Sequence, residues 1–311
     1  MNTQSSAASE SFEAQQAASV ALSATRPLYW SIRRELWENR WIYIGQLGIA
    51  VVFLLGFLVS TVYLPAHMRA VAAQGPAQRW EAVAMPYNIA AGLFMGVLIL
   101  MSVFYSADAL HSERRDRSIL FWKSLPVSDL TTVMAKACIP LVVLPLLTFA
   151  VTVALQIVML LLSSVVLAAS GLSVAALWSE LSPFAMWGKL FHHLLTAHAL
   201  WPFPVYCWLL LVSAWARRAT LLWAALPVIA VGGVEKLIFH TSHFAEMVGG
   251  RLIGAGAPID ITPAQNMFPM GPMTHITPGQ FLAAPGLWIG LAVAAVFLAA
   301  SVQVRRYRGP V

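Results

Sequence analysis

What most limits the architecture is a succession of apolar runs separated by shorter polar stretches, each on the scale of the roughly 20 residues that an α-helix needs to cross a bilayer. They fall at about 41–64, 88–107, 139–169, 194–216, 220–234 and 286–304. Inside lipid each backbone polar group must be satisfied within its own segment, so these runs read as helices rather than as the alternating strands of a β-barrel. Charged residues make up 10% of the 311 positions and hydrophobic ones 59%, where soluble domains carry about 25% charged. The expectation is an all-α polytopic membrane protein with six transmembrane helices in one domain over 27–311. Residues 1–26 are rich in Ser, Ala and Gln, lack a basic start and a long apolar core, and read as a disordered cytosolic tail rather than a signal peptide.

The cations give the orientation. With the amino terminus inside, 14 of the 19 Lys and Arg fall on the cytoplasmic side, and Arg69, Arg79, Lys189, Lys236 and Arg251 on the other. Six spans with N- and C-termini cytoplasmic follow. The net charge of +6 and the 12 Trp fit a basic inner face and aromatic belts, with no nucleic acid as partner. An amphipathic N-terminal interface helix is expected from Leu28 to Arg40. There Ile32 and Leu36 recur at i, i+4, Trp37 pairs with Trp41 in the same way, and Arg33, Arg34 and Arg40 supply polar surface.

Prolines punctuate the longer runs. Pro140 and Pro145 predict a kink near the start of the third, and Pro202 and Pro204 a break early in the fourth. The stretch between the first two runs carries Pro76 and Pro86 and is read as too polar and broken to span.

Motif absences narrow the function. Ionisable groups are almost missing from the interiors of the spans, with Gln46 and Gln156 the most conspicuous polar residues there, which argues against an ion-coupled carrier. There is no GxxxxGK[ST], HExxH or GxSxG. The chain is not expected to be an enzyme or to bind a cofactor itself. Cys138 and Cys207 form no CxxC and read as small buried hydrophobes.

The cytoplasmic loop over 108–130 contains "ERRDRSILFWKSLPVSD", Glu113 to Asp129. Ile119, Trp122 and Leu125 recur every three residues on one side of a helix, Pro126 ends it, and Ser128 or Asp129 can cap the next. Its arginines hold the loop inside; its apolar residues have no topogenic duty and suit a docking surface.

This stretch resembles the coupling loop of type-2 ATP-binding-cassette (ABC) exporter permeases, the ABC-2 superfamily, whose pattern is close to "ERExGTLExLLxSPVSxxxxLxxK". Glu113 and Arg114 match the opening pair, Ser118 and Ile119 the Thr-Leu, Pro126 to Ser128 the "PVS", and Lys136 the last Lys. Arg117 replaces Gly, at a position where only glycine takes a positive φ freely. The resemblance implies a transmembrane permease subunit in a bacterial inner (plasma) membrane. It would pair with a second permease, identical or homologous, and with two copies of an ATPase subunit that carry the ATP and Mg. Glu113, Arg114, Arg117, Ile119, Phe121, Trp122, Leu125 and Pro126 would form the partner-binding coupling helix. Ile32, Arg33, Leu36 and Trp37 would lie on the interface helix.

The outer loop over 237–285 invites a different reading. Met267, Met270 and Met273 at three-residue spacing, with His275 beyond, are soft ligands suited to Cu(I), so a membrane assembly or binding factor handling copper is the alternative. The competing reading is an apolar, Pro-broken lid with no metal. His240, His243 and Glu246 also recur every three residues, without a fourth ligand for zinc.

Overall fold

The computed structural model describes residues 27–118, 127–253 and 278–307, without the side chains of Pro76, Ala77 and Pro278. No β-strand occurs among them. Helix α1 covers 27–38. Then come α2 (Trp41–Ser60), which passes through a 3-10 turn into α3 (Leu64–Ala72), and α4 (Pro76–Asp108) with the short α5 (His111–Arg115). α6 (Asp129–Cys138) leads through the π-helical turn Ile139–Val143 into α7 (Leu144–Ala169). α8 (Val174–Leu181) and α9 (Pro183–His193) precede a second π-helical turn, Leu194–Leu200, and α10 (Phe203–Trp215). The chain continues with α11 (Thr220–Phe239), α12 (His243–Ile253), α13 (Pro278–Ala283) and α14 (Pro285–Tyr307).

Five of these stretches are long and apolar enough to cross a bilayer, and a sixth is Val174–Leu200 with Phe203–Trp215, bent by 43°. The bend sits at Trp201 and Pro202, where the fourth run was expected to break. Pro140 lies inside the first π-helical turn and Pro145 in the first turn of α7. A proline gives no N–H to the preceding turn, and a wider π turn accommodates the gap.

Pro86 corrects the sequence reading. It sits within α4 without ending it, and Pro76 opens that helix in its first turn, where its missing N–H is an orphan in any case. The polar stretch after the first span is therefore mostly helix. At 33 residues α4 is about 50 Å long at 1.5 Å per residue, so it projects beyond a hydrocarbon core of about 30 Å. α11 likewise runs on to Phe239, past the expected end at 234, and α12 occupies part of the segment expected as outer loop.

The core is built on α4 and α7. Tyr87, Phe94, Leu98 and Tyr105 line one face of α4 and are buried against Leu155, Met159 and Leu160 of α7. Gly45 on α2 allows close approach, since a Cβ there would lie 2.9 Å from the end of Met101. The polar residues of this core are tied together: Gln46 donates to the Thr148 hydroxyl at 3.0 Å, and Gln156 to the Tyr87 carbonyl at 3.0 Å while accepting from the Trp187 indole at 3.0 Å. In lipid no water offers an alternative, so these bonds satisfy both ends of the Gln156 amide and the N–H end of Gln46, whose carbonyl oxygen has no partner among the described residues.

Candidate functional site: a buried ionic junction

At one end of the bundle five elements bring charged side chains into a closed network. Glu35 falls on the face of α1 that also carries Ile32 and Leu36, and those two pack onto the core. It is 2% exposed. One of its oxygens meets Lys136 Nζ of α6 at 2.8 Å, and the other accepts from the Tyr105 hydroxyl of α4 at 2.8 Å. Lys136, 1% exposed, also lies 3.2 Å from the Glu113 carboxylate of α5. Glu113 takes a 2.7 Å contact from Arg34 and an ion pair from Arg305 of α14, and Arg305 reaches Asp129 of α6 at 3.0 Å.

Three cations, Arg34, Lys136 and Arg305, thus face Glu35, Glu113 and Asp129, and Arg34 pairs in addition with the more exposed Glu38 at 2.9 Å. The balance matters because an uncompensated buried charge costs several kcal/mol, whereas a paired and hydrogen-bonded one is tolerated. Burial pushes the pKa of Arg34 down, but its hydrogen bond to Glu38 and the charges of Glu35 and Glu113 outweigh this and hold it above the ordinary value.

A second set of bonds anchors α5 to α10. Arg114 donates to the carbonyls of Ala214 and Ala216 at 2.7 and 3.2 Å, and His111 Nδ1 lies 3.2 Å from the Ala216 carbonyl. Helix ends leave carbonyls without intrahelical partners and concentrate negative potential there, which suits a guanidinium. Ser128 caps α6 by accepting from the Thr131 N–H at 3.1 Å, and this frees Asp129 for Arg305.

The sequence-predicted coupling residues divide accordingly. Glu113 and Arg114, expected on a partner-facing surface, are 4% and 5% exposed and bond inward. Arg117 is exposed and takes φ 57°, so the left-handed position occurs where the permease pattern has Gly. A non-glycine residue there bears about 1–2 kcal/mol of strain. Ile119, Phe121, Trp122, Leu125 and Pro126 lie outside the described residues. On α1, Ile32 and Leu36 turn into the bundle, while Arg33 and Trp37 are exposed.

Glu35, Tyr105, Asp129 and Arg305 were not among the residues singled out as a site. Glu35 carried a signal, being one carboxylate at i+3 from Ile32 and next to Leu36 on the apolar face of α1. Arg305 carried none, because its partner Glu113 is 192 positions away in the chain.

The metal candidates Met267, Met270, Met273 and His275 lie outside the described residues. Among the described ones no group of three His, Cys, Asp or Glu is placed to hold a metal ion. Near the alternative His240, His243 and Glu246 set, the Glu235 carboxylate instead accepts from the N–H groups of His243 and Phe244, both at 2.9 Å, and so caps α12.

The chain matches no protein-family model, no curated protein and no solved structure. The described residues form a helical bundle with helices long and apolar enough to cross a membrane, and the buried charged side chains of Glu35, Glu113, Lys136 and Arg305 meet at one junction.

Proposed function

We propose that this protein is the transmembrane permease subunit of an ABC type 2 exporter of a bacterial inner membrane, with both termini cytoplasmic. A separate ATPase subunit, in two copies, binds ATP and Mg and drives a pair of permeases. The loop beginning at Glu113 docks on the ATPase, and α1 lies along the membrane interface with Trp30, Arg33 and Trp37 outward.

The observation that carries the reading is the 3.2 Å pair between Glu113 and Lys136. These are the first and last residues matched to the permease pattern, and their contact joins the two ends of that stretch. Because Glu113 also bonds Arg34 and Arg305, force applied to the stretch reaches α1, α6 and α14 through one carboxylate. Arg114 passes it to the end of α10. A protein that converts motion in a cytoplasmic partner into movement of its spans requires such a stiff connection, since packed elements and ion-pair networks carry displacement where a solvated loop does not.

The test is purification from the native membrane in mild detergent. The expected outcome is a co-purifying protein with GxxxxGK[ST] and ATP hydrolysis by the complex, lost when Trp122 and Leu125 are both changed to Glu. Equal hydrolysis by the double variant, or no ATP-hydrolysing partner, contradicts the proposal.

A further inference from the structure

Beside α11 the fold contains a cavity of about 570 Å³ bounded by α4, α10, α11, α12 and α14, running from Val103 and Leu221 to Arg251. This is the size range of small-molecule and cofactor sites. Its wall is apolar except for one side chain, Arg251 of α12. The rim includes Leu221, Ile229, Ile289 and Val293, which are exposed on the outer faces of α11 and α14. The cavity is therefore an open groove on the lipid-facing side of the helices rather than a sealed void.

Arg251 is held in place. It donates to the Trp201 and Gly286 carbonyls at 3.3 and 2.6 Å, and its guanidinium stacks 4.6 Å above the Trp201 ring. Gly290 makes room: a Cβ there would collide with the guanidinium and lie 3.1 Å from Pro204. Among the described residues no carboxylate lies within 4.0 Å of it. A guanidinium has five N–H groups, and two are engaged here by those carbonyls. α10 and α14 both begin beside it, adding the positive ends of their dipoles. Burial draws its pKa below the ordinary value.

A cation fixed by its surroundings, with no carboxylate beside it among the described residues, at the end of an apolar groove open toward lipid suits a phosphate joined to an acyl chain. We propose that the groove binds an anionic phospholipid of the bilayer, with its phosphate on Arg251 and one acyl chain laid between α10, α11 and α14. The phosphate oxygens accept the remaining guanidinium N–H groups, and Ala224, Ala225 and Val228 leave space for the chain. A neutral zwitterionic lipid brings its own cation to the same place and gains less. This binding requires no ATPase, so it stands apart from the transport reading.

The test uses the full chain in mild detergent, exposed to phosphatidylglycerol or phosphatidylcholine with identical acyl chains, with retained lipid counted by native mass spectrometry. A charge-assisted contact predicts a preference for phosphatidylglycerol of about tenfold or more. Arg251→Gln removes the preference, Arg251→Lys keeps it in weakened form, and Val228→Trp, which fills the groove, lowers retention of both lipids. The Lys variant and the thermal unfolding of each protein guard against misfolding as the cause. Equal retention of the two lipids by the unaltered chain overturns the proposal. So does a preference that survives Arg251→Gln, or a second copy of the chain retained in place of lipid.

Discussion

The ionic junction and the Arg251 groove both place cations against apolar surroundings, and they resolve the cost in opposite ways. At the junction Arg34, Lys136 and Arg305 meet Glu35, Glu113 and Asp129, and Tyr105 takes up a remaining oxygen. At the groove Arg251 rests on two carbonyls and an indole face, with no carboxylate near it among the described residues. A closed network stiffens the elements it joins; an open cation keeps affinity for an anion that comes from outside. The difference is one of charge balance: the first region is closed on itself, and the second, among the described residues, is not.

Removing one charge from the junction gives the largest expected effect. Glu113→Gln leaves Lys136 with Glu35 and Arg305 with Asp129 but takes away the carboxylate that three cations share, and should cost about 3–5 kcal/mol of stability, read as a lowered thermal unfolding midpoint of the purified protein. A cycle sharpens the point. Glu35→Gln and Lys136→Met combined should destabilise less than the sum of the singles, because each single leaves the other buried charge without its nearest partner. Additive losses would mean that the pair is not coupled and the junction is not closed.

Tyr105→Phe comes next. It deletes one hydrogen bond to the buried Glu35 carboxylate and keeps the ring, so a loss of about 1.5–3 kcal/mol is expected. Arg117→Gly tests the strained start of the loop. It should leave the network intact and stabilise the chain by about 1 kcal/mol, since glycine occupies φ 57° without the Cβ clash.

The smallest effect belongs to a pair outside both regions. Arg79 and Glu180 approach to 3.6 Å with their side chains about a third exposed, and Glu180→Gln should change stability by less than about 1 kcal/mol. A large loss there would show that burial is not what distinguishes the junction.

Much of the bundle was legible because bilayer crossing imposes length and hydropathy on the residues themselves. The bend at Pro202 was readable from the prolines that interrupt the fourth run, whereas the π-helical form of the turn at Pro140 was not specified by the sequence. Pro86 misled because a proline removes one bond of a helix, and the rest of a long apolar helix continues around it. At the site, the loop motif named Glu113, Arg114 and Lys136, yet the resemblance implied a partner-facing role for Glu113 and Arg114, whose side chains bond inward. A motif records which residues occur together; it does not give the direction of a side chain. The contacts of Glu113 with Arg34, Lys136 and Arg305 join positions far apart in sequence, and no local pattern encodes them. Arg251 stood out only as one of five cations on the outer side. Its position beside Trp201 and Gly286 depends on how α12 packs against α10 and α14.

The central claim is that the loop beginning at Glu113 meets an ATP-binding partner. It is tested most directly by placing a photo-crosslinking residue at Trp122 and irradiating cells that express the full chain. The account predicts a covalent adduct with a protein carrying GxxxxGK[ST], reduced when Leu125 is changed to Glu. Adducts with lipid alone, or with no nucleotide-binding protein, would contradict it.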